Sequence, residues 1–186
     1  MSLFLPKRPD TPIRAQLETR YRSARFSLLL IIAFTAINMI MCVGQTGMFW
    51  LFSANIPYLL TDLGMYFGGM YRVAEGAVLP GFGALGRPFF FAMLAVAILF
   101  LCVYFVCWLL SEKKSAWLFA TLIIFSVDTV VMIVMPLLGM ADVSVDFAFD
   151  VALHACAIYE LIDGLLSWKR LAALNAEEDT AEPVRE

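Results

Sequence analysis

The residues best suited to chemistry are concentrated in one apolar segment late in the chain. The stretch DFAFDVALHACAIYELIDG, residues 146–164, contains four carboxylates and the only histidine of the sequence. These side chains are Asp146, Asp150, His154, Glu160 and Asp163. Within a membrane, carboxylate and imidazole groups mark a path for protons, ions or substrates, or they hydrogen-bond helices to one another.

All five side chains follow one face of a predicted helix. At about 100° per residue they occupy about half of the circumference, and apolar residues such as Phe149 and Ala155 lie opposite them. Each charge at the centre of a bilayer costs roughly 2.5–3.5 kcal/mol on insertion scales. The pattern therefore predicts that the polar face is turned toward neighbouring helices or water.

Depth in the membrane indicates the partners of this face. At about 1.5 Å per residue, His154 lies about 12 Å below the outer end of its span, and Asp128 lies about 15 Å below the outer end of the preceding span. Because consecutive spans are antiparallel, the two side chains are expected at similar height. The predicted polar cluster comprises Asp128, Asp150 and His154 with Asn38 nearby, and Glu160 lower, toward the cytoplasmic half.

The composition indicates an integral membrane protein. Of 186 residues, 62% are hydrophobic and 16% are charged, against about 45–50% and about 25% in soluble domains. The mean hydropathy is +0.83. Nucleic-acid binding is excluded because no basic, aromatic-rich patch occurs outside the N-terminus. A disulfide framework is not indicated, because all four cysteines fall in apolar stretches.

The predicted fold is an all-α, four-helix membrane bundle. Four segments are long and apolar enough to span the bilayer, at about 26–43, 88–110, 116–138 and 146–168. With both termini cytoplasmic, 11 Lys and Arg residues lie inside and 2 outside. If 48–67 were a fifth span, 8 Lys and Arg residues would lie inside and 5 outside. The positive-inside rule therefore favours four spans.

Segment 48–67 is predicted to be an interfacial or re-entrant helix between the first and second spans. Asn55, Pro57 and Asp62 interrupt its apolar run, and Ser53 precedes them. Proline suits the start of a helix, and Gly68-Gly69 suits its end.

Charged segments flank the predicted membrane domain. Residues 1–25 form a basic cytoplasmic arm, in which Ile13, Leu17 and Tyr21 recur at helical spacing, as in a helix lying on an anionic inner leaflet. Residues 169–186 form an acidic cytoplasmic tail, which is expected to be disordered.

Other motifs carry weaker signals. GFGALG (81–86) matches the dinucleotide-binding pattern but lacks a preceding strand, so a loop feeding the second span is the better interpretation. GMYFG (64–68) matches the helix-packing pattern but lies outside a predicted span. His154 and Cys156 point in different directions on a helix, and no nucleophile lies at helical spacing from His154, so neither a metal site, a cofactor nor a catalytic residue is predicted.

Several stretches together resemble a family of uncharacterised small bacterial membrane proteins. They are RFSLLLIIAFTAIN, FSANIPY followed by DLGMYF, DTVVM in the third span and DVALHA in the fourth, within residues 25–170. The resemblance implies a bacterial cytoplasmic membrane and a four-span plan, and it highlights Ser53, Pro57, Asp128 and His154. It implies no activity.

Three functions follow from these patterns, in order of preference. The first is a non-enzymatic component that packs with a membrane-protein partner or with copies of itself through a polar seam. The second is an ion- or proton-coupled transport subunit that uses Asp128, His154 and Glu160. The third is a membrane-embedded enzyme, which is disfavoured because no catalytic set is visible.

Overall fold

The computed structural model describes residues 12–74, 79–139 and 145–181, with side chains up to residue 177. Within these ranges the chain is helical and contains no strand. Its five helices are α1 (Pro12–Gly44), α2 (Asn55–Phe67), α3 (Gly86–Ser111), α4 (Ser115–Leu137) and α5 (Val145–Ala181). Residues 1–11 of the predicted basic arm and 182–186 of the predicted tail lie outside the described residues.

Three of the helices, α1, α3 and α4, are long and apolar enough to cross a membrane. This finding agrees with the predicted all-α membrane protein. The predicted segments 88–110 and 116–138 coincide with α3 and α4 within a few residues, and 26–43 lies within α1. The segment predicted as the fourth span, 146–168, lies within α5.

Helices α1 and α5 form the most extensive helix pair, and they run antiparallel. Their axes approach closely at Gly164, where an added Cβ would lie 2.4 Å from the Cβ of Ala24. A small residue on each side therefore permits this contact. The Nη1 atom of Arg20 lies 3.0 Å from Oδ1 of Asp163, which fixes the same register.

The flanking segments differ from their expected form. Residues 12–25 continue into the apolar part of α1 without a break, and Leu17 and Tyr21 are buried, whereas Ile13 is exposed. The acidic tail is helical as far as Ala181 instead of disordered. The ring centroids of Tyr21 and Trp168 lie 4.6 Å apart, so the N-terminal part of α1 packs against the end of the predicted fourth span. This contact shields apolar ring surface of Tyr21 and Trp168 that either helix alone would leave exposed.

Helix α2 packs along α3 through the glycines of GMYFG. An added Cβ at Gly64 would lie 2.9 Å from the Cβ of Met93, and one at Gly68 would lie 2.7 Å from that of Phe90. Gly64 and Gly68 therefore allow α2 and α3 to pack closely, although the motif lies outside a predicted span.

The GFGALG loop closes the other end of α2. The backbone N–H of Gly83 donates to the carbonyl of Tyr66 at 3.0 Å, and that of Leu85 donates to the carbonyl of Phe67 at 3.0 Å. Gly81, Gly83 and Gly86 have positive φ, a conformation that glycine adopts at little steric cost. The loop satisfies carbonyl groups at the helix end that have no partner within the helix.

Candidate functional site: a buried polar cluster at the start of α2

The two residues that precede α2 lie in the interior of the helix bundle. Ser53 is 1% exposed and Ala54 is 0% exposed. The backbone N–H of Ala54 donates to Oγ1 of Thr35 at 2.8 Å, and that hydroxyl donates to the carbonyl of Ile31 at 2.6 Å. The chain thus enters the bundle beside the middle of α1 before α2 begins.

Asp128 caps the N-terminus of α2 from another helix. Its Oδ2 accepts a hydrogen bond from the N–H of Asn55 at 2.7 Å, and its Oδ1 accepts one from the N–H of Ile56 at 2.6 Å. The next residue, Pro57, has no N–H. Ala54 occupies the N-cap position and provides no side-chain hydrogen bond. A buried carboxylate therefore satisfies the free donors and also faces the positive end of the helix dipole.

Asn38 holds the segment that leads into α2. Its Nδ2 donates to the carbonyl of Trp50 at 2.7 Å, and its Oδ1 accepts from the N–H of Trp50 at 2.8 Å. The same Nδ2 also donates to Oγ of Ser53 at 2.8 Å. Asn38 is 0% exposed, so its amide replaces the backbone partners that an irregular segment lacks in an apolar environment.

His154 lies between the two carboxylates predicted as its neighbours. Its Nδ1 is 2.8 Å from the carbonyl oxygen of Asp150 and 3.4 Å from Oδ1 of that residue. Its Nε2 is 3.8 Å from Oδ2 of Asp128. The ring stacks on Phe125 with a centroid distance of 4.9 Å and an interplanar angle of 3°. The imidazole is therefore fixed in position, with an acidic group facing each nitrogen.

Two polar atoms next to this arrangement have no hydrogen-bond partner among the described residues. They are Nε2 of His154 and the phenolic oxygen of Tyr104, and both residues are almost fully buried. A buried polar group without a partner is costly, and in native proteins it marks strain, an ordered water or a functional role. These atoms form the part of the cluster with unused hydrogen-bonding capacity.

Asp150 connects the cluster to the strained backbone before α2. Its Oδ1 accepts from the N–H of Phe52 at 3.4 Å. Phe52 has a φ of 69°, a left-handed conformation that bulky residues rarely adopt. Asp150, Asn38 and Asp128 thus bind the stretch 50–56, which includes the start of α2, from three different helices.

Glu160 lies apart from this cluster. Its carboxylate accepts a hydrogen bond from the hydroxyl of Ser27. It lines a cavity of about 220 Å³ that also includes Arg20 and Asp163. Glu160 therefore belongs to the α1–α5 contact and not to the group around His154.

Asp62 also lies in a separate group. It accepts a hydrogen bond from the phenol of Tyr71, whose oxygen is 3.4 Å from Sγ of Cys42. Burial, together with the hydrogen bond to Asp62, raises the pKa of the Tyr71 phenol above its usual range. Tyr71 therefore stays protonated and serves as the donor to Asp62. This contact joins α1 to α2 and to the chain that follows α2.

The predicted residues thus form three groups. Asp128, Asp150, His154 and Asn38 converge on the start of α2 together with Ser53, Asn55 and Pro57. Thr35, Phe125 and Tyr104 were missed, although Thr35 precedes Asn38 by three residues and so shares its helix face. Within the described ranges, no group of three or more His, Cys, Asp or Glu residues is arranged to hold a metal ion.

Comparison with known proteins gives no family assignment: no protein-family model, no curated protein and no solved structure matches this chain.

Proposed function

We propose that the chain is a four-span protein of the bacterial cytoplasmic membrane, with both termini inside and with residues 45–67 forming a re-entrant element. The distribution of Lys and Arg supports this topology. The contact between the start of α2 and Asp128, a residue in the middle of α4, supports entry of the segment from the outer side. Non-helical backbone at membrane depth is tolerated where protein surrounds it, and the non-helical residues Ser53 and Ala54 are buried.

In this proposal the protein acts without catalysis, as an interaction component that packs with a partner membrane protein or a second copy. The observation that carries the proposal is the use of both Asp128 oxygens within the chain. The carboxylate is occupied by backbone donors, so it holds a structural element in place and is not available to a substrate. The function of the cluster is then to fix the shape of the outer surface.

The element fixed in this way presents apolar side chains outward. Met48, Phe49 and Trp50 are all exposed, and Trp50 is the first residue of the segment that Asn38 and Asp128 hold. Trp50 is 47% exposed, its ring stacks on Phe34, and its backbone is bonded to Asn38. A rigid, exposed aromatic group is a typical anchor of protein interfaces.

The test is the assembly state of the full chain extracted from its own membrane in mild detergent. Native mass spectrometry is expected to show a complex of fixed stoichiometry, and Trp50→Ala is expected to dissociate it without lowering the amount of folded protein. Trp117→Ala, at another exposed tryptophan, is the matched control. A wild-type chain that is only monomeric, or equal loss of the complex in both variants, would contradict the proposal.

A second candidate function is ion- or proton-coupled transport. It is favoured by the unpartnered Nε2 of His154 and phenolic oxygen of Tyr104, which adjoin a buried carboxylate. Ionisable groups at membrane depth are often part of proton paths. Proteoliposomes containing the purified chain would then show a pH-gradient-driven flux that His154→Gln abolishes while the fold is retained. Absence of flux from wild-type proteoliposomes excludes this candidate for the chain alone.

A further inference from the structure

A groove of about 410 Å³ lies between α4 and α5. Its walls are apolar and include Phe119 and Leu122 of α4 and Ile162 and Leu166 of α5, whereas Ser115 and Lys169 lie at one end. Phe119 is 54% exposed and Leu166 is 49% exposed. The groove is therefore open along its length and has a polar group only at its mouth.

The groove extends along α4 and α5 from the end that carries Ser115 and Lys169. From Ser115 to Leu122, and from Ile162 to Lys169, the walls extend about 10 Å at 1.5 Å per residue. Because Ser115 begins a helix apolar enough to cross the membrane, the groove runs inward from the boundary of the hydrocarbon layer.

The mouth of the groove carries positive charge. Four exposed cations lie on or beside it: Lys113, Lys114, Lys169 and Arg170. Among the described residues, the nearby carboxylates are paired elsewhere, Glu112 with Arg25 at 3.4 Å and Asp163 with Arg20 at 3.0 Å. None of the salt bridges between described residues involves the four cations. An anionic group at the mouth would therefore meet uncompensated positive charge.

We propose that this groove binds an anionic phospholipid, with an acyl chain between α4 and α5 and the phosphate headgroup beside Lys169 and Lys114. The apolar walls explain binding of the acyl chain, and the cations explain selection of an anionic headgroup. A long lysine side chain can keep its stem on apolar surface while its ammonium group reaches the headgroup level. A basic residue next to an anionic lipid surface strengthens binding about five-fold.

The test measures lipid retained by the full-length chain in mild detergent, by native mass spectrometry after addition of phosphatidylglycerol or phosphatidylcholine with identical acyl chains. Wild type is expected to retain phosphatidylglycerol preferentially. Lys169→Gln is expected to reduce that retention about five-fold and to leave phosphatidylcholine unchanged. Arg170→Gln removes a neighbouring charge that does not line the groove, and it is expected to reduce retention of phosphatidylglycerol less than Lys169→Gln does.

A second variant tests the apolar part of the site. Ala116 lines the groove and is exposed, so Ala116→Phe fills the groove and is expected to lower retention of both lipids. Lys169→Gln changes only an exposed side chain and carries the test even where Ala116→Phe fails to fold. Equal retention of the two lipids, or equal effects of Lys169→Gln and Arg170→Gln, would overturn the proposal. So would a dimer that Ala116→Phe dissociates, because a second copy would then occupy the groove.

Discussion

Replacing Asp128 is expected to release the start of α2 from the bundle. A hydrogen bond to a charged group contributes about 1.5–3 kcal/mol. Asp128→Asn keeps one acceptor oxygen for the two backbone donors of Asn55 and Ile56, so it is expected to lower the free energy of unfolding by about 2–3 kcal/mol. Asp128→Ala leaves both donors unsatisfied and is expected to lower it by about 3–5 kcal/mol.

Two measurements check this expectation. Equilibrium unfolding in mixed detergent micelles, followed by circular dichroism, gives the change in the free energy of unfolding. Labelling of Ser53→Cys by a maleimide, in a chain without its natural cysteines, reports opening at the start of α2. Because Ser53 is 1% exposed, labelling is expected to be slow in the parent and about 30-fold faster with Asp128→Asn, the equivalent of about 2 kcal/mol.

Asp146→Asn is the matched control, because it makes the same chemical change at an exposed position of α5. It is expected to shift stability by less than about 1 kcal/mol, the usual size of a helix-dipole effect at the surface. The cap assignment is refuted if Asp128→Asn and Asp146→Asn have equal stability, or if the labelling rate at Ser53→Cys does not change.

Three further predictions concern packing and pH. Gly64→Ala is expected to push α2 away from α3 and to lower the free energy of unfolding by about 1–3 kcal/mol. Gly44→Ala, whose added Cβ would make only ordinary contacts, is the control in the same unfolding assay. Gly164→Ala is expected to destabilise the α1–α5 contact by a similar amount, and adding Ala24→Gly should recover the lost stability. A double-mutant cycle that shows no coupling between the two positions would contradict the close contact. The pKa of Tyr71 is raised from its ordinary value of 10.0. The protonated phenol therefore stabilises the folded state below about pH 10, and this stabilisation is lost as the pH rises above about 10. Tyr71→Phe should therefore reduce the alkaline loss of stability, as measured by unfolding at a series of pH values.

The proximity of Asp128 and His154 follows from properties that a sequence contains. The helical rise sets the depth of each residue, and short connections make consecutive helices antiparallel, so two polar residues at equal depth are placed on facing helices. The same calculation of depth separates Glu160 from Asp128 and His154, because Glu160 lies lower on α5. A regular helix thus makes the relative height of side chains predictable over long sequence distances.

The use of Asp128 as a cap could not be read from the sequence in the same way. Asn55 lies 73 residues before Asp128, and no local pattern connects them. One local signal is present, because Ala54 is a poor N-cap residue, and a helix start beside Pro57 without Ser, Thr, Asp or Asn at that position needs an external acceptor. The identity of that acceptor depends on tertiary packing.

The packing role of the GMYFG glycines cannot be predicted from the positions of the membrane spans alone. Gly64 and Gly68 act in the contact of a short helix with α3, where the backbones approach as closely as in a pair of spans. The continuous α1 was missed for a related reason. Charges such as Arg14 and Arg20 suggested a separate surface helix, whereas the packing of Tyr21 against Trp168 extends the helix pair beyond the apolar region.

The distance along the chain between α2 and its cap has a consequence for synthesis of the protein. At 5–20 residues per second, a ribosome needs roughly 4–15 s to make the residues that separate Asn55 from Asp128. During this interval the amide groups at the start of α2 lack their acceptor and need water, so this portion of the newly made polypeptide is expected to stay at the membrane surface. In the proposed re-entrant topology, its insertion is therefore expected to be a late event of biogenesis, which follows arrival of the third long apolar helix in the bilayer.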